Sequence, residues 1–98
     1  MNWTHALADY KHYLKIERGL ASNTIDNYIF DVKKLVKYLE DIGSSANPDS
    51  ISSEAIQQCI YQLSKSLNAR SQSRIISGLR SFFDYLVFEN IRRDNPMD

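Results

Sequence analysis

The sequence predicts an all-α domain, a bundle of four helices. Three observations carry that prediction. Four segments place apolar residues three and four positions apart, and none sustains a two-residue alternation. The chain has only 3 Gly and 2 Pro, too few for the many tight turns of a small β-sandwich or barrel. Four of those five punctuating residues also fall between the periodic segments: Gly19 with Ser22 and Asn23, Gly43 through Pro48, and Asn90 through Pro96, with a weaker break at Asn68 to Ser71. The helices are therefore expected over roughly residues 3–18, 22–42, 53–67 and 71–89.

The first helix rests on Trp3, Leu7, Tyr10 and Leu14, which share one face at 3.6 residues per turn. The second carries Ile25, Ile29, Val32, Val36 and Leu39. Ser22 is its expected cap, and Gly43 suits the left-handed position just past its end. The third carries Ile56, Cys59, Ile60 and Leu63. Ser52 is its expected cap, Ile51 and Ile56 have the spacing of a hydrophobic staple, and Glu54 complements the helix dipole. The fourth carries Ile75, Ile76, Leu79, Phe82, Phe83 and Leu86. Trp3, Tyr10, Ile29, Val32, Leu79 and Phe83 are expected in the core. The tail from Asn90 to Asp98 is polar, and Pro96 biases Asn95 away from helix, so it reads as a linker.

Ninety-eight residues with 43% hydrophobic and 24% charged side chains make one soluble domain with one modest core. No apolar run approaches the ~20 residues of a membrane helix, and no signal segment opens the chain. One cysteine fits a reducing cytoplasm. His5 and His12 are two turns apart on one helix, ~10.5 Å along the axis, too far to share a metal as an i, i+4 pair does. Cys59 falls on an apolar stripe and reads as a buried, inert thiol. There is no Gly-rich phosphate loop and no paired carboxylate in a catalytic pattern. No metal, cofactor or small-molecule substrate is implied, and the chain by itself does not read as an enzyme.

Twelve basic and 12 acidic residues cancel, so any electrostatic argument rests on where they lie. From Ala55 to Phe83 there is no Asp or Glu, while Lys65, Arg70, Arg74 and Arg80 are present. At about 100° per residue, Ser73, Arg74, Ser77, Arg80 and Ser81 all fall within about 80° of Arg70. Ile75, Leu79, Phe82, Phe83 and Leu86 all fall between about 120° and 220°. Guanidinium forks suit phosphates and guanine edges, and short serine side chains permit close approach to a groove. Gly78 removes a side chain at the edge of the strip, or else permits close helix packing. A nucleic-acid contact, an ordinary solvated face and a protein interface all fit this pattern. The start of the second helix adds Asn23, Thr24 and Asn27, small donors where a helix N-terminus favours phosphate, with Lys33, Lys34 and Lys37 further along. Asp26 and Asp31 are expected near that surface, opposing a phosphate. Phe30 lies among polar positions, where it covers a neighbouring helix or faces a partner.

Two stretches resemble a known family. Glu17-Arg18-Gly19-Leu20-Ala21-Ser22-Asn23-Thr24, followed by Tyr28 and Asp31, resembles the ERGLSxNTxxxYxxDL opening of tyrosine recombinases of the Xer and phage-integrase type. Ser71 through Leu86, with Arg74, Ile75, Ser77, Leu79-Arg80-Ser81-Phe82-Phe83 and Tyr85-Leu86, resembles that family's SxxRxLSALRxFFxFL helix. Asn95-Pro96 is similar to the Asn-Pro that closes it.

The resemblance implies a four-helix, SAM-like core-binding domain over residues 1–89, with 90–98 beginning a linker to a catalytic domain. In the family, the second and fourth helices face the major groove of the core site, and protomers touch in a tetrameric synapse. The expected double-stranded DNA contacts are Asn23, Thr24, Asn27, Arg70, Ser73, Arg74, Ser77 and Arg80. Strand exchange in the family uses a tyrosine with Arg, Lys and His partners in the C-terminal domain. None of those motifs occurs here, so none of the six tyrosines is expected to act as nucleophile. Two departures stand out: Ala21 replaces the usual Ser, and Gly78 stands where the family has Ala. Zero net charge implies that this half binds weakly alone. A helical module for protomer contacts is the alternative, and a stand-alone helix-turn-helix repressor on palindromic half-sites is a third.

Overall fold

A computed structural model describes all residues from Met1 to Asp98. It contains four helices and no strand: α1 Trp3–Ile16, α2 Ser22–Asp41, α3 Ser53–Ser64 and α4 Ala69–Phe88. The expected order and class hold. The ends move inward at α1 and α3, and α4 starts two residues earlier than expected.

Local chemistry explains each boundary. At the start of α1, the Asn2 side chain accepts the His5 amide at 2.7 Å. Beyond Ile16 the closing turn runs through Gly19, where φ is +61°, and the Leu20 amide reaches back to Leu14 O at 3.1 Å. The expected Ser22 cap is not formed: Ala21 holds the cap position in extended conformation, Ser22 is already helical, and no side chain bonds the first turn of α2. Alanine has no oxygen to offer those amides. At the far end of α2, Gly43 takes φ +68°, and Ser44 N–H reaches Leu39 O at 2.8 Å, the six-residue closure that favours glycine. Ser52 caps α3 as expected, accepting the Ala55 amide at 3.1 Å, and Ile51 and Ile56 are both buried. Past Ser64 the chain tightens into shorter bonds, such as Ser66 N–H to Leu63 O at 3.2 Å, so α3 stops short of residue 67. Asn68, not a residue at 70 or 71, starts α4 by accepting the Ser71 amide at 2.9 Å. Asn90, at φ +59°, closes it, with Ile91 N–H on Leu86 O at 2.9 Å.

The core is one cluster of 16 buried hydrophobic residues. Between α1 and α4 it is aromatic. Trp3 stacks on Phe82 with centroids 6.1 Å apart, Tyr10 meets Phe82 edge-on at 5.2 Å, and Tyr13 lies 4.8 Å from Tyr85. Tyr10, Val32, Leu79 and Phe83 are sealed as expected, while Trp3 and Ile29 are half-buried. On α2 it is Leu35, not the expected Val36, that is fully buried, because the helix turns its centre toward α4.

The tail does not trail away. Asn95 and Pro96 are buried, and Asn95 Nδ2 donates to Arg80 O at 3.1 Å and to Asp84 Oδ1 at 2.7 Å. Arg92 donates to Pro48 O at 3.2 Å and Ile51 O at 3.0 Å, with its guanidinium 5.5 Å from the Phe83 ring centre. Residues 90–98 are thus strapped across α4 and the turn before α3. No helix is long and apolar enough to cross a membrane.

Candidate nucleic-acid interface

The sequence places Arg70, Ser73, Arg74, Ser77 and Arg80 on one strip of α4, and all five are exposed. Opposite lies α2, which approaches α4 most closely at Gly78. A Cβ built there would sit 2.9 Å from the Cβ of Asp31 and 3.0 Å from its Cγ, closer than carbons tolerate. Gly78 is therefore a packing residue first, and the close approach creates a cleft. This cleft, about 200 Å³, is lined by Thr24, Asn27, Tyr28, Asp31, Arg74, Ser77 and Gly78.

Four of the eight expected contact residues meet in that cleft: Thr24 and Asn27 from α2, Arg74 and Ser77 from α4. Asn23, Arg70 and Ser73 are exposed outside it. Arg80 lines a second groove, about 390 Å³, with Tyr13, Arg18, Ser77, Ser81, Asp84, Tyr85 and Phe88. Ser77 belongs to both, so the two grooves adjoin along α4.

The charges are not arranged as the helical wheel alone suggests. Asp31 does not oppose a phosphate from the surface. It is 3% exposed, and its Oδ1 accepts Arg74 Nη2 at 3.3 Å. Burial raises the Asp31 pKa above 3.8 even though the Arg74 hydrogen bond and charge pull it down. Arg74 is the counter-ion of a buried acid, and the part of it left to a partner is the half of its side chain that stays in water. Arg80 donates to Met97 O at 3.2 Å, a backbone oxygen of the docked tail. The ion pairs involve His5, Arg74 and Arg92, which leaves Arg18, Arg70 and Arg80 without a carboxylate partner. The strip is also not purely Arg and Ser. Asp84 continues it one turn beyond Arg80, and Ser81 is half-buried, its Oγ 3.0 Å from the Tyr10 hydroxyl.

Sequence reasoning missed Arg18, Tyr28 and the positioning role of Asp31. Each comes from a different element than α4, and a wheel drawn on one helix cannot show it. The signal that existed was the first family-like stretch, which contains all three.

The tyrosine and thiol chemistry is quiet. Burial pushes the Tyr10 hydroxyl up to about 12, against the lowering effect of its Ser81 bond. Cys59 is buried, and burial alone pushes its thiol up to about 11, so the inert-thiol expectation holds.

A profile described as "Phage integrase, N-terminal SAM-like domain" matches residues 7–90, most of the chain and all of the α2–α4 cleft. The chain belongs to the phage-integrase N-terminal SAM-like domain family. The domain is 36% identical over 93 residues to the tyrosine recombinase XerD of Oceanobacillus iheyensis, covering 94% of this chain and 31% of that protein. It is 33% identical over 92 residues to the tyrosine recombinase XerD of Listeria monocytogenes, covering 93% and 31% respectively. The corresponding Staphylococcus epidermidis protein is 33% identical over 91 residues, 92% of this chain and 30% of that one. This SAM-like domain thus spans about a third of the length of the curated relatives it matches. No solved structure matches it. The all-helical bundle is the fold that the resemblance to tyrosine recombinases leads one to expect.

Proposed function

We propose that this SAM-like domain is the DNA-binding N-terminal part of a site-specific tyrosine recombinase, lying with α2 and α4 toward the major groove of its core site. The observation that carries this reading is the α2–α4 cleft. It gathers Thr24, Asn27, Arg74 and Ser77, and exposed Arg70 and Ser73 extend its α4 side. No Asp or Glu occurs between Ala55 and Phe83 to repel a phosphate from that stretch of α4. Arg70 and the solvated half of Arg74 supply cations for phosphates or guanine edges, and the small side chains let the helix sit close. Residues 1–89 form the binding unit, and 90–98 lead toward a catalytic domain that performs strand cleavage and rejoining. Zero net charge makes this half a weak binder that gains from its neighbour and from other protomers on the same site.

The test is a titration of labelled duplex DNA at several salt concentrations. Each neutralised phosphate contributes a slope of about −0.9 in log affinity against log salt. Arg70→Ala is the informative variant, because Arg74→Ala would also strand the buried Asp31 carboxylate. It is expected to weaken binding and flatten the slope by about one contact. Absence of binding at low salt, or an unchanged slope in Arg70→Ala, overturns the assignment.

A further inference from the structure

Ten residues separate Arg70 from Arg80, about 15 Å along a helix, slightly more than the ~12 Å width of the major groove. A helix laid across that groove would set cations at the two ends of the α4 strip against opposite phosphate walls. At the first end Arg70 is free. At the second, Arg80 is held by the tail carbonyl of Met97. The unengaged cation at that end comes from elsewhere in the chain. Arg18, in the turn after α1, lines the same groove as Arg80, Ser77 and Phe88. It is exposed, makes no ion pair and accepts no assignment within the fold. Tyr13 of α1 and Ser81 and Tyr85 of α4 line that groove too, and Ser81 is bonded to the Tyr10 hydroxyl, so Arg18 lies at the α1–α4 junction. The turn that puts it there is closed by Gly19 at φ +61°.

We infer that Arg18 is a phosphate contact of this domain, meeting the DNA backbone on the wall opposite Arg70 while Arg80 is retained by the tail. The inference rests on the DNA-binding reading above. Asp84 is the one carboxylate lining this groove, and its Oδ1 accepts the Asn95 amide at 2.7 Å. It lowers the local potential, so its removal should act opposite to the removal of Arg18.

The experiment compares wild type, Arg18→Gln, Arg18→Lys, Arg80→Gln and Asp84→Asn on a labelled duplex of mixed sequence across a salt series. Arg18→Gln is expected to reduce affinity about eightfold at about 0.1 M salt and to reduce the slope by about 0.9, the value of one phosphate contact. Arg18→Lys should keep the slope, since a backbone phosphate needs only a cation. Arg80→Gln should cost less than Arg18→Gln, and Asp84→Asn should tighten binding. Thermal melts should leave Arg18→Gln at the wild-type midpoint. An Arg18→Gln slope equal to wild type, while Arg70→Ala still flattens it, overturns the Arg18 contact and leaves the DNA reading standing. Wild type failing to bind removes both.

Discussion

The fourth helix is joined to its neighbours by two different kinds of seam. Toward α1 the space is filled by rings: Phe82 lies against Trp3, Tyr10 and Phe83, with no backbone crowding required. Toward α2 the backbones nearly touch at Gly78, and the nearest side chain is a buried carboxylate held by a half-exposed arginine. The first seam stabilises through apolar area, and its polar groups lie only along the rim, where Arg18, Arg80 and Asp84 line a groove. The second stores polar groups at the surface, and it is the one that opens into the cleft. The difference teaches where binding capacity can be placed in so small a domain. It lies where packing is achieved by a missing side chain, leaving neighbouring polar residues free to face outward.

If that division is right, the largest loss of stability comes from the aromatic seam. Phe82 is fully buried, so Phe82→Ala removes its ring contacts and leaves a cavity, at a cost of about 4 kcal/mol. A domain of this size has roughly 5–15 kcal/mol in total. The thermal midpoint should fall by about 20 °C. A drop of only a few degrees would mean the rings are replaceable and the contrast between the seams is false.

Gly78→Ala tests the other seam at a smaller scale. Alanine gains about 1 kcal/mol of helix propensity over glycine. Overpacking against the Asp31 stem costs about 1–3 kcal/mol. The net expectation is a loss of about 1 kcal/mol by chemical denaturation, the difference of those two effects. A gain equal to the propensity difference would show that α2 can retreat freely, and that the family's usual alanine fits this chain too.

How much of this was legible beforehand depended on sequence distance. The Ser52 cap, the Ile51–Ile56 staple, the Gly43 stop and the buried Cys59 were readable, because each follows from residues within a turn or two of itself. The exposed strip of α4 was readable for the same reason. What failed was non-local. Asp31 looked like a surface acid until Gly78, 47 positions later, brought α4 against it. Nor did the tail's local sequence, read as a polar linker, show that Asn95 would meet Asp84 or Arg92 the carbonyls of Pro48 and Ile51. Two local readings also missed by a residue or two. Ser22 lost the cap position to Ala21, and α4, expected to start near Arg70 or Ser71, starts at Ala69 behind its Asn68 cap.

The smallest effect expected is also the one with the clearest sign. Asp31 has a folded-state pKa raised above 3.8, burial being the larger cause and Arg74 the partial offset. A carboxyl with a raised folded pKa contributes its stability fully below the unfolded pKa and loses it as pH rises through the folded value. At neutral pH the buried charge is thus a net burden that the pair with Arg74 only partly relieves. Asp31→Asn keeps the shape and an acceptor for Arg74 while removing the charge. It should equal or exceed wild type at pH 7 by up to about 1 kcal/mol. The two melting curves should converge as pH falls through the folded pKa and wild-type Asp31 takes up its proton. A variant less stable than wild type at neutral pH, with the gap closing in acid, would reverse the sign. The ion pair would then outweigh its desolvation, and the α2–α4 seam would be held by charge and not merely permitted by glycine.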